Sequence, residues 1–79
     1  MKVLYFGQTR DAVGSGEEEF LLPDHASVQT LLERANSKHG KLGKFYKSMQ
    51  VALNEEIAKG DETLKDGDVV GLIPPVAGG

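Results

Sequence analysis

The chain closes on Pro74-Pro75-Val76-Ala77-Gly78-Gly79, and the group there with chemical promise is the α-carboxylate of Gly79. Pro74 and Pro75 fix φ, and the residue before each proline is pushed toward extended backbone. At about 3.3 Å per residue, the stretch from Pro74 to Gly79 can reach about 20 Å. Gly78 and Gly79 carry no side chains, so such an end can enter a channel too narrow for any other residue. A free carboxylate is inert, but an acyl-adenylate is open to attack by an amine or a sulfur. Attack by sulfur leaves a thiocarboxylate, which carries one sulfur atom without any cysteine. At a glycine frequency of roughly 7%, a terminal Gly-Gly pair arises by chance in roughly 0.5% of chains, which disfavours accident.

The side chains offer little else. His25 and His39 are the only histidines, stand apart, and read as surface residues. Glu17, Glu18 and Glu19 are consecutive on a predicted strand, so they alternate faces; they read as a solvated edge rather than a paired carboxylate site. Asp66 and Asp68 flank a turn glycine, and turn formation alone explains them. Gly14 and Gly16 do not open a helix, so they do not form a phosphate loop. With no cysteine in 79 residues, disulfides, thiolate metal ligation and thiol catalysis are excluded. No metal site is expected. A net charge of -3 disfavours nucleic acid and anionic membranes as partners. Lys38, Lys41, Lys44 and Lys47 are too sparse to reverse that and read as a solvated loop or short helix. "MKVLYFG" is no signal peptide and no apolar run could span a membrane, so the expected compartment is the cytoplasm.

The elements that must hold the tail follow from periodicity. "KVLYFG" reads as a strand ending at Gly7, "TRDAVGSG" as a turn-rich connection closing on Gly14 and Gly16, which tolerate positive φ, and "EEEFLLP" as a second strand stopped by Pro23. Val28, Leu31, Leu32 and Ala35 have the i, i+3, i+4, i+7 spacing of a helix, with Ser27 as N-cap and Gly40 as a left-handed stop. "KLGKFYKSM" reads as a short helical turn or loop. "QVALN" reads as a strand, "EEIAKG" as a short edge strand beyond a turn at Asn54–Glu55, and "VVGLI" as the last strand after an Asp66–Gly67 turn. This order predicts an α+β β-grasp: a mixed sheet of four to five strands, one main helix on one face, and the first and last strands side by side and parallel at the centre. The domain is expected over residues 1–73, with a free extended tail over 74–79.

"KVLYFGQTRDAVG" at the start and "LKDGDVVGLIPPVAGG" at the end resemble the small subunit of molybdopterin synthase, a ubiquitin-like sulfur-carrier family. The resemblance runs through the whole chain; Gln8 and Arg10, the "DGD" turn and "PPVAGG" are its most specific parts. It implies that a ubiquitin-activating-type enzyme adenylates Gly79 with ATP, that a sulfur donor protein converts it to the thiocarboxylate, and that the large synthase subunit takes up the charged tail. Sulfur then passes to a pterin precursor in molybdenum cofactor biosynthesis. It implies a heterotetramer with the large subunit, no permanently bound cofactor and no phosphopantetheine arm. Where the family often has two aromatics before Pro-Pro-Val, this chain has Leu72 and Ile73. A sulfur carrier of thiamine or cysteine synthesis, a modifier attached to lysines and a plain interaction domain remain open alternatives.

Strand parity predicts the partner surface. If Val3 and Tyr5 face the helix, Leu4 and Phe6 face outward; if Val70 and Leu72 are core, Gly71 and Ile73 face outward. An outer face with no second layer is an exposed apolar patch of the kind that marks interfaces. Phe6, Ile73 and Ile57 are the expected docking residues for both the activating enzyme and the large subunit.

Overall fold

The computed structural model describes residues 1–44 and 48–74. Five strands, β1 (Lys2–Tyr5), β2 (Glu17–Glu19), β3 (Gln50–Leu53), β4 (Glu56–Ile57) and β5 (Val69–Ile73), form one mixed sheet in the order β2-β1-β5-β3-β4. β1 and β5 run parallel at its middle, with Lys2 opposite Val69 and Tyr5 opposite Leu72. The other neighbours are antiparallel. This is the expected β-grasp.

Alternation along the central strands sorts the two faces. Val3, Tyr5, Val70 and Leu72 are at most 2% exposed and pack with Val28, Leu31 and Ala35 of α2 (Val28–Lys38). The i, i+3, i+7 spacing puts those three residues on one stripe of the helix. Ser27 caps α2 as expected: its Oγ accepts the Thr30 N–H at 3.2 Å. Leu42, on a 3-10 turn at Gly40–Lys44, closes the core below α2. Truncating a fully buried leucine such as Leu72 to alanine would cost about 2 to 5 kcal/mol.

Three local expectations are corrected. The segment after β1 is not a turn-rich loop but a second helix, α1 (Gly7–Val13). The Thr9 hydroxyl, completely buried, accepts the Phe6 N–H at 3.0 Å and lies 2.6 Å from Phe6 O and 3.3 Å from Leu72 O. It nucleates the helix and ties it to β5. Gly14 ends α1 at φ 86, as a left-handed cap should, and Gly16 faces the Arg10 side chain. Gly40 is not the left-handed stop of α2: His39 is the C-cap, at φ -123, and Gly40 passes straight into the 3-10 turn. The second strand is also shorter than expected, because only Glu17–Glu19 pair with β1.

The β3–β4 turn has both central residues at positive φ, Asn54 at 50° and Glu55 at 74°. Such a turn matches strand twist and favours Asn-Gly. Asn54 fits it and earns a second role, donating from Nδ2 to Asp68 Oδ1 at 2.9 Å and accepting the Val69 N–H at 2.9 Å. Glu55 holds the position where glycine would be unstrained, at a cost of about 1 to 2 kcal/mol.

Candidate functional site

The last described residue, Pro74, leaves the sheet from its central strand. Its exit is fixed by neighbours. Phe6 N–H donates to Leu72 O at 3.3 Å, and Gly7, at φ 53, lies so close that a Cβ there would sit 3.2 Å from Pro74 Cγ. The end of β5 is therefore braced by the β1–α1 junction on one side and by β3 on the other. Pro75, Val76, Ala77, Gly78 and Gly79, the expected reactive tail, lie outside the described residues.

Beside this exit, on the face without α2, is an open concavity of about 570 Å³ whose walls include Leu4, Phe6, Ala52, Gly71 and Ile73. Phe6 is 47% exposed and leans over Gly71: a Cβ on Gly71 would meet Phe6 Cε2 at 2.9 Å. Gly71 thus leaves the room that the Phe6 ring occupies against the sheet. The structure brings Phe6 and Ile73 together here. Ile57 is 62% exposed and stands opposite Ala52 in the β3–β4 register, but it lines a separate recess with Val28, Leu32 and Ala58 at the far edge.

The acidic run is not a uniform solvated edge. Glu17 and Glu19 point outward, pairing with Lys2 at 3.2 Å and with the N-terminal ammonium at 3.3 Å. Glu18 turns the other way, with a side chain only 17% exposed. Tyr5 Oη donates to its Oε1 at 2.8 Å, His39 Nε2 lies 2.8 Å from the same oxygen, and Lys38 Nζ contacts Oε2. His39 is therefore not an ordinary surface residue; it also meets the Tyr5 ring edge-on, centroids 6.1 Å apart. Burial by itself would raise the Glu18 pKa. The hydrogen bonds from Lys38, His39 and Tyr5 outweigh it and lower the carboxyl to about 2. Tyr5 is shifted upward by burial, then by the bond to Glu18 and by its charge, so its hydroxyl stays a donor. No single stretch of sequence signals this cluster, because β1, β2 and α2 each supply a part. It is a tie across the fold, joining β1, β2 and the end of α2. Among the described residues, no group of His, Asp or Glu is placed to hold a metal ion, and no helix is long and apolar enough to cross a membrane.

Sequence and structure comparisons agree with this geometry. A Chlamydomonas reinhardtii molybdopterin synthase sulfur carrier subunit is 41% identical over 81 residues, covering 100% of this chain and 98% of that protein. A human protein of the same name is 27% identical, again over 100% of this chain. Among solved structures, a putative molybdopterin converting factor subunit 1 from Pyrococcus furiosus superposes with a TM-score of 0.85 at 38% identity, over 95% of both chains. The small archaeal modifier protein SAMP1 of Haloferax volcanii gives 0.89 at 26% identity, over 99% of this chain and 97% of that one. A complex of subunits 1 and 2 of the molybdopterin-converting factor from Helicobacter pylori gives 0.70 at 26% identity, over 99% and 96%. Residues 3–79 match the ThiS family, so that the parallel central pair, the braced exit at Pro74 and nearly the whole sequence lead to one conclusion: this chain is a member of the ThiS family.

Proposed function

We propose that this chain is the sulfur-carrier small subunit of molybdopterin synthase and works in the cytoplasm. The observation that carries the reading is the exit of Pro74 from the central strand, next to the apolar concavity holding Phe6 and Ile73. A partner seated on that face would receive the tail at its own active site. An adenylating enzyme joins the Gly79 carboxylate to AMP, releasing pyrophosphate from ATP. A sulfur donor protein carrying a persulfide attacks the adenylate and expels AMP; a thiol of the donor then cleaves the acyl disulfide, leaving the thiocarboxylate and a disulfide on the donor. The large subunit then binds the charged carrier, the pterin precursor takes the sulfur, and water restores the carboxylate. The carrier supplies no catalytic side chain; its contribution is delivery. The H. pylori complex supports a large-subunit partner, and the chemistry adopts the family's sulfur-carrier role.

The test is the mass of the protein isolated from its native cell, with deletion of Gly79 as control. The reading expects a species heavier by about 16 Da, the difference between oxygen and sulfur, at the Gly79 carboxylate. It also expects loss of sulfur transfer on deletion, with unchanged circular dichroism. A deletion variant that still transfers sulfur refutes it. The likeness to SAMP1 favours a second reading, conjugation to lysines, which would appear instead as adducts on other proteins.

A further inference from the structure

Among the described residues lining the outer concavity, Glu55 carries the single formal charge; the rest are apolar or, at Asn54, neutral. The other carboxylates of the neighbouring strands are either answered or elsewhere. Glu17 and Glu19 have cationic partners, and Glu56, opposite Leu53, has the parity of the other face. Among the described residues Glu55 has neither an ion pair nor a hydrogen bond. Its backbone is at φ 74, in a turn where glycine would be free of strain. The fold thus gains nothing from a carboxylate at a position that disfavours it. Any partner that covers Phe6 and Ile73 must also strip water from this group. A carboxylate taken out of water is tolerated only when a cation or several donors meet it.

Resting on the docking reading above, we propose that Glu55 is a specificity-determining charge of this face, met by an arginine or lysine that the large subunit carries beside the apolar surface covering Phe6 and Ile73. A second copy of this chain is a poor occupant, since the same face of that copy offers a second Glu55 and, among the described lining residues, no cation to meet the first.

Calorimetric titration of the full-length carrier with its large subunit tests this, alongside thermal unfolding of the free carrier. The variants are Glu55→Gln, Glu55→Lys and Glu55→Gly, with Phe6→Asp as reference for the face itself. Glu55→Gln should weaken the complex about tenfold and Glu55→Lys about a hundredfold, in the range seen for close interfacial charge pairs. The Glu55→Gln loss should shrink at high salt. Glu55→Gly should bind like Glu55→Gln yet unfold at a higher temperature than the native chain, because glycine relieves the turn. A residue serving only the fold would move both readouts the same way. If Phe6→Asp abolishes binding while all three Glu55 variants stay within about twofold of native, the charge assignment is overturned and the docking face stands. If Phe6→Asp also binds normally, the docking face fails and this inference fails with it.

Discussion

At Glu18 three parts of the chain meet, since Tyr5, Lys38 and His39 all contact its carboxylate. Its carboxyl, ordinarily near 4.5, is lowered to about 2 in the folded chain. A depressed carboxyl stabilises the fold fully above its unfolded value, and that contribution is lost as pH falls through the folded value. Replacing Glu18 by Gln should therefore cost about 1 to 3 kcal/mol at pH 7, the scale of hydrogen bonds to a charged group. The gap between variant and native chain should close as the pH is lowered from about 4.5 to about 2. Urea unfolding at several pH values measures it, and a gap that does not narrow would assign the stability to packing. The cluster was not legible in the sequence. Periodicity places Glu18 on the face opposite Glu17 and Glu19, but Lys38 and His39 reach it only once α2 has crossed the sheet.

At the scale of elements, β5 was the most legible. Alternation in "VVGLI" and "KVLYFG" assigns Val70, Leu72, Val3 and Tyr5 to the core and leaves Phe6 and Ile73 outside, as observed. The helix α1 was the least. At seven residues it is too short to show a full apolar stripe, yet Thr9, Ala12 and Val13 have i, i+3, i+4 spacing and Gly14 is its stop. The clue was present, but glycines at both ends favoured a loop. Ile57 shows the limit of parity on a two-residue edge strand, where register gives a face but not the recess a side chain fills. The Phe6–Gly71 contact permits a test that leaves the core intact. Gly71→Ala must lift the ring, since its Cβ would lie 2.9 Å from Phe6 Cε2. Phe6 is half exposed and can swing, so stability should fall by only about 1 kcal/mol, the low end of overpacking. Affinity for the large subunit should fall with it; unaltered affinity would mean that the partner does not read the ring's position.

For the molecule as a whole, one face lies beside one exit, and the proposed cycle needs two enzymes to use it. They should then compete. Adding the large subunit to an adenylation assay should inhibit competitively against carrier. Phe6→Asp and Ile73→Asp should weaken both complexes by more than the few tenths of a kcal/mol of a neutral surface change. A ternary complex on gel filtration would contradict this. Such exclusion imposes an order in which charging, release and delivery follow one another.

The parallel pairing of β1 with β5 has a mechanical consequence. β1 begins near the N-terminus, and β5 runs alongside it toward Pro74. A pull on the tail against the N-terminal end loads the β1–β5 hydrogen bonds in shear, side by side, rather than peeling them one after another. With β3 gripping the other edge of β5, traction along the tail is shared among bonds on both sides of the strand. A force drawn along the end of β5 thus meets the sheet in shear rather than by peeling.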